Sequence, residues 1–200
     1  MLKHQHSKGK IEAGCDEAGR GCLAGPVVAA AVILDPKNPI EGLNDSKKLN
    51  EAKRNLLRIE IEQKALAWAV GICSPKEIDK HNILRSSFMA MHKSLAQIKI
   101  EFNHILVDGN RFIPYQDIDH TCIIKGDAKF QSIAAASILA KTHRDEIMEK
   151  LDLKFPMYTW VQNKGYPTVK HRDAIAKFGA CQHHRKTFQL LPLIKTELLE

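Results

Sequence analysis

The chain has 200 residues, 44% of them hydrophobic, which suits one domain with a sizeable core. Lys and Arg (30) outnumber Asp and Glu (23), and the net charge of +7 favours an anionic partner such as nucleic acid. No apolar run reaches the ~18 residues of a membrane span, the basic start MLKHQHSKGK leads into nothing like a secretory leader, and five scattered cysteines without a C-x-x-C pair argue against a disulfide framework or zinc cage and suit a reducing cytoplasm.

The first twelve residues read as loose chain, after which KIEAGCDE starts a strand. GPVVAAAVIL (25–34), rich in small and β-branched residues, predicts a second, fully buried strand. Pro, Gly and Asn punctuate the loop of residues 35–50, and Asn50 is placed to cap a helix running to about Gln63, with Leu56, Leu57 and Ile61 on one stripe. ALAWAVGIC (65–73) reads as a third strand, ended by Ser74-Pro75. A short helix and a long one follow, the latter carrying Ile83, Leu84, Phe88, Met91 and Leu95 at helical spacing. HILVDG predicts a fourth strand ending in Asp108, and TCIIKGD a fifth ending near Asp127. An Ala-rich helix covers 132–151, and a last helix is closed by Gly179. Strands mixed with helices in this order imply a mixed sheet covered by helices.

Acidic residues stand at three of these strand ends: Asp16 with Glu17, Asp108 and Asp127. Strand ends are where α/β sheets build sites. Four converging carboxylates repel one another and need protons or cations, and hard divalent ions such as Mg²⁺ or Mn²⁺ suit oxygen ligands best. Two such ions ~4 Å apart can hold an attacking water and a leaving oxygen on one phosphate. Neighbours in a strand point to opposite faces, so Asp16 and Glu17 share a pocket only if the chain bends near Ala18-Gly19 or Glu17 serves through its carbonyl. Any one of these acids alone fits a turn or cap, Asp127 in GDAK most readily.

Gly19, Arg20 and Gly21 follow at once, a turn that frees backbone N–H groups for a ligand and adds a phosphate-forking guanidinium. NDSKKLN brings Asp45, Ser46, Lys47 and Lys48 into a loop where Ser and Lys can grip a phosphate. Tyr166, between Gly165 and Pro167, is an exposed aromatic mount on which a sugar or base can stack, with Lys164, His171 and Arg172 adding charge nearby. Ser137 lacks a G-x-S-x-G elbow, which disfavours a serine-hydrolase triad, and His183-His184 lacks ligand spacing.

With DEAGRGCLAGPVVAAAVIL at Asp16, NDSKKL at Asn44, ILVDGN at Ile105, IKGDAKFQSIAAASILAKTHRD at Ile124, NKGYPT at Asn163 and HR at His171, residues 11–188 resemble the ribonuclease HII family, the bacterial type 2 ribonucleases H. The resemblance implies an α/β RNase H-like fold: a central mixed five-stranded sheet flanked by helices, with a C-terminal helical extension. It implies one catalytic domain over 1–200, with the core at about 10–150 and the helical part at about 151–200. The implied activity is cleavage of RNA in RNA–DNA hybrids and nicking 5′ of single ribonucleotides in duplex DNA, leaving 3′-hydroxyl and 5′-phosphate ends, in the cytoplasm and in ribonucleotide excision repair. Asp16, Glu17, Asp108 and Asp127 match the family's catalytic, metal-holding carboxylates, for two Mn²⁺ or Mg²⁺ ions with substrate. Gly19, Arg20 and Gly21 match its turn that senses the 2′-hydroxyl, Tyr166 its junction-stacking tyrosine, and Lys47 resembles a phosphate contact. Cys181-Gln182 stands where a proline-containing turn is expected. The arginine of the turn, and the short stretch before the first strand, separate the chain from ribonuclease HIII. No sliding-clamp motif is present, and a monomer is expected. Two other readings are a non-catalytic nucleic-acid module with a remnant acidic cluster, disfavoured because all four acids are present, and an RNase H-like nuclease of branched DNA, disfavoured by a turn suited to a 2′-hydroxyl.

Overall fold

The computed structural model describes residues 2–192. Its strands are β1 (Glu12–Ala18), β2 (Val27–Ile33), β3 (Ala67–Cys73), β4 (His104–Asp108) and β5 (His120–Ile123). Its helices are α1 (Glu51–Lys64), α2 (Pro75–His81), α3 (Ile83–Leu95), α4 (Gln131–Asp152), the single turn α5 (Trp160–Asn163) and α6 (Val169–Phe178). The five strands form one mixed sheet in the order β3-β2-β1-β4-β5. β1 pairs antiparallel with β2 and parallel with β4, which in turn runs parallel to β5. Three parallel strands therefore deliver their C-terminal ends to one sheet edge, and the Cys15–Val107 register sets Asp16 level with Asp108.

All seven residues of β2 are buried because the strand lies between two helical layers. One face packs Ala13, Cys15, Val27 and Ala29 against Phe88, Met91 and Leu95 of α3. The other packs Ala30 and Val32 against Ala135, Ile138 and Leu139 of α4 and Leu57 and Ile61 of α1. Gly14 is where α4 crosses β1: a Cβ there would stand 2.3 Å from the Ser132 carbonyl carbon, so only glycine admits this approach. A third cluster joins Leu23 and Ala24, in the β1–β2 connection, to Met148, Tyr158, Trp160 and Ile175, which seats the C-terminal helices beside that connection.

Helix ends follow local chemistry. The Asn50 side chain accepts the Lys53 N–H at 2.8 Å, and Ser74 with Glu77 closes a capping box on α2. Gly179, at φ 79°, ends α6.

Several expectations change. Leu56 is 63% exposed, so the buried stripe of α1 is Leu57 and Ile61 alone. β3 starts at Ala67, and β5 ends at Ile123, leaving Asp127 on a 3₁₀ turn (Gly126–Ala128) because Lys125 takes a left-handed conformation that stops the strand. The N-terminus is docked where loose chain was expected: Lys3 exchanges backbone hydrogen bonds with Lys129 and Gln131, and Glu12 accepts the N–H groups of His6 and Ser7. The expected C-terminal helical part contains α5 and α6; its residues 193–200 lie outside the described residues.

Candidate active site

β1 runs through Asp16 and Glu17 without a bulge, paired residue for residue with Ala30 and Ala29. Within the strand the two side chains alternate between faces, and the chain turns directly after Ala18, at Gly19 (φ +95°), where the bend was expected. Asp16 is buried on the α4 side, near Ser137, and its Oδ1 accepts the Glu17 N–H at 2.7 Å. Glu17, at the open strand end, accepts from Arg20 Nη1 at 3.1 Å. Asp108 closes β4, and its Oδ1 accepts the Gly126 N–H at 2.7 Å, which ties the Asp127 turn to β4. Asp127 is buried, with Asp108 and Asp45 acting on its carboxyl group.

The electrostatics link all four acids. Burial, then the charges of Glu17 and Asp108, push Asp16 well above the usual carboxylate range. Burial raises Glu17 too, against the opposing Arg20 guanidinium. Burial, then Asp108 and Asp45, raise Asp127. Asp108 thus acts on each of the other three. Against this anionic cluster stand the Arg20 guanidinium and the exposed Lys47 ammonium, whose field reaches Glu17, Asp127 and the Tyr166 hydroxyl. Among the described residues no three acidic, His or Cys side chains form a closed metal cage. The donor set is nevertheless hard oxygen, carboxylates whose charge is disfavoured by burial and by one another, which fits a divalent cation of the Mg²⁺ or Mn²⁺ kind.

The expected turn resolves into two different glycines. Gly19 has φ +95°, and a Cβ on it would stand 2.0 Å from Arg144 Nε, so the fold itself demands glycine. Gly21 is exposed, has no left-handed φ, and a Cβ there would meet nothing within 4 Å. In the 44–48 loop, Ser46 is buried and hydrogen-bonded to Ser137 Oγ at 2.9 Å, so it anchors the loop beside Asp16 and is not free to hold a phosphate as expected. Arg54 secures the same loop by donating to the carbonyls of Ser46 and Leu49.

Tyr166 is 42% exposed, on a loop whose backbone is fixed from three sides. Its N–H donates to Asn163 O and its carbonyl accepts from His171 Nδ1, both at 2.8 Å, while Gly165 O accepts the Leu23 N–H at 2.8 Å. His171 is fully buried, and desolvation lowers its pKa, so it is a neutral strut and adds no positive charge. The Cys181-Gln182 segment still turns: Cys181 O accepts the His184 N–H, and His184 Nδ1 accepts the Cys181 N–H at 3.0 Å.

Sequence reasoning missed Ser137, Asp45 as a partner of Asp127, and the buried Arg144 and Arg185. One signal was present for Arg144: it continues the stripe Ala136, Ala140, Arg144, Met148, a charged residue at a core position of α4.

Comparison with known proteins agrees with this architecture. A family model described as Ribonuclease HII matches residues 13–191. The chain is 61% identical over 192 residues to the ribonuclease HII of Parabacteroides distasonis, covering 96% of each. Among solved structures it is similar to the ribonuclease H2 of Pyrococcus horikoshii OT3 (TM-score 0.75, 28% identity, 90% of this chain and 94% of that one). A ribonuclease HII of Archaeoglobus fulgidus, solved in complex with PCNA, is also similar (TM-score 0.75, 27% identity, 92% of this chain and 97% of that one).

Proposed function

The chain belongs to the ribonuclease HII family, metal-dependent endoribonucleases that act on RNA–DNA hybrids, and from that premise we propose that it also nicks duplex DNA 5′ of single embedded ribonucleotides. Asp16, Glu17, Asp108 and Asp127 are the proposed catalytic ligands, and Gly19, Arg20, Gly21, Lys47 and Tyr166 the proposed substrate contacts. Two divalent ions, Mg²⁺ or Mn²⁺, supply activation of a water and stabilisation of the departing 3′ oxygen when bound. The chain's own groups do the rest. Asp16, whose Oδ1 accepts the Glu17 N–H, is oriented before any ligand arrives. Lys47 and Arg20 draw the phosphates toward an otherwise anionic edge, and Tyr166 offers a ring face for the sugar beside the 2′-hydroxyl. The products carry 3′-hydroxyl and 5′-phosphate ends. We read residues 1–200 as one catalytic domain acting as a monomer in the cytoplasm. Among the described residues no helix is long and apolar enough to cross a membrane.

The observation that carries 2′-hydroxyl sensing is Gly21. Nothing in its φ or its surroundings requires glycine, so the bare backbone there serves close approach by a ligand from outside. Such backbone contact reads the sugar and leaves base identity unread.

The test is a labelled duplex carrying one ribonucleotide, incubated with Mg²⁺, Mn²⁺ or chelator beside an all-DNA duplex. A single metal-dependent nick 5′ of the ribonucleotide is expected, with the control intact. Asp16→Asn and Asp108→Asn should each reduce the rate by about 10²- to 10³-fold while duplex binding survives. Retained cutting in both variants would refute the proposed carboxylate roles, and equal cutting of the all-DNA duplex would refute the sensor.

A further inference from the structure

Behind the Gly19–Gly21 turn lie two guanidinium groups whose hydrogen-bond partners among the described residues are all backbone carbonyls. Arg185, fully buried, donates through Nη2 to Gly19 O at 2.7 Å and Pro26 O at 3.3 Å, through Nη1 to Arg20 O at 2.9 Å and through Nε to Gly25 O at 3.1 Å. Arg144, 1% exposed, donates through Nε to Pro26 O at 3.0 Å, through Nη2 to Ala24 O at 3.1 Å and through Nη1 to Lys164 O at 2.8 Å. Two cations are thus buried together; Arg185 is brought down to about 10, chiefly by burial, with the Arg144 charge adding to the fall. Such an arrangement is expensive unless the fork geometry of both groups is used.

The use follows from peptide geometry. In a trans peptide the C=O of one residue and the N–H of the next point in opposite directions, and the described chain has no cis bond. Drawing the Gly19 and Arg20 carbonyls inward onto Arg185 therefore turns the N–H groups of Arg20 and Gly21 outward. Among the described residues neither N–H is used by an internal hydrogen bond. Arg144 extends the hold to the Tyr166 loop through Lys164 O, alongside the Leu23 N–H to Gly165 O bond.

We infer that Arg144 and Arg185 are positioning residues that aim the Arg20 and Gly21 amides at the 2′-hydroxyl and phosphate and fix the distance from that turn to Tyr166. This rests on the proposed recognition of single ribonucleotides. A continuous hybrid offers ribose at every step, so a loosened turn still finds a productive register. A lone ribonucleotide offers one hydroxyl and one junction, so turn and tyrosine must be set together.

The experiment compares the wild type with Arg185→Lys, Arg185→Met, Arg144→Lys and Arg144→Met. The lysine variants keep the charge but cannot fork, and they carry the test where a methionine variant fails to fold. Two readouts are taken: kcat/KM on a single-ribonucleotide duplex relative to a continuous hybrid, and amide hydrogen exchange of the free protein at Leu23 and Gly25. Positioning predicts a fall in the activity ratio of about tenfold or more. It also predicts faster exchange at those two amides, with the β2 and β4 amides unchanged. Equal losses on both substrates, with Leu23 and Gly25 still protected, would overturn the inference. If the wild type does not nick the single-ribonucleotide duplex, the functional reading fails, and exchange alone decides: unchanged protection overturns the positioning role, and selective loosening upholds it.

Discussion

Gly19 and Gly21 occupy the same short motif for different reasons, and substitution separates them. Gly19→Ala meets both a φ of +95° and the Arg144 side chain, so it should destabilise the fold by about 2 kcal/mol or more. Gly21→Ala meets open space and should stay within ~0.5 kcal/mol of wild type in a urea titration, yet lower kcat/KM on a single-ribonucleotide duplex by about tenfold to a hundredfold. A Gly21→Ala enzyme with unchanged activity would remove the case for backbone sensing there. At this scale the acids, the turn and Tyr166 stand out in the sequence as candidates because each lies beside a strand end or a Gly/Pro break. Arg185 does not stand out, and Arg144 does so only through its place on the buried stripe of α4, since arginines in the polar stretches KTHRDE and HHRK read as surface and their partners are carbonyls that carry no sequence signature. His171 was misread for the same reason: a polar neighbourhood in sequence became a buried strut in space.

At the scale of elements, the site depends on how closely α4 can lie on β1. Gly14 lets the helix backbone touch the strand, and that contact brings Ser137 to Asp16 and Ser46. Gly14→Ala should push α4 away and cost about 1–3 kcal/mol by overpacking. It should also weaken cleavage on every substrate alike, because Asp16 loses its orientation. Chemical denaturation and parallel assays on a hybrid and a single-ribonucleotide duplex check both parts; a stable variant with full activity would show that α4 accommodates the methyl group. The elements themselves were readable from periodicity, since small and β-branched runs marked buried strands and Leu57 with Ile61 marked a helix face. The end of β5 was not, because a left-handed Lys125 has no propensity signal, and Asp127 consequently arrives on a 3₁₀ turn. Nor was the strand order, which arises from pairing across distant segments: it is the parallel β1–β4 contact that makes Asp16 and Asp108 neighbours.

Across the whole molecule two sets of buried ionisable groups act on stability in opposite directions as pH falls. Burial raises Asp16, Glu17 and Asp127, so those groups favour the metal-free fold as pH falls. The C-terminal cluster works the other way. His184 is 1% exposed; its Nδ1 accepts the Cys181 N–H, which assigns its proton to Nε2, 3.2 Å from His171 Nε2, and that nitrogen also accepts from Trp160 Nε1 at 3.0 Å. Burial, and then the neighbouring His171, bring His184 down to about 4 from its ordinary 6.5. The unfolded chain therefore takes up this proton first, and the stabilisation is complete above pH 6.5 and lost as pH falls toward 4, amounting to about 3 kcal/mol. His184→Asn keeps a side-chain oxygen for the Cys181 N–H but does not titrate, and it leaves the opposing carboxylates in place, so their contribution cancels in the comparison. Urea midpoints measured from pH 7.5 to 4.5 should show the wild type more stable at neutral pH and the gap closing through the window below 6.5. A gap independent of pH would mean that His184 stays protonated, or stays neutral, equally in both states. The loss has a functional side as well, because His171, held in this cluster, fixes the Tyr166 carbonyl: acid should release the tyrosine loop before the sheet that carries the carboxylates unfolds.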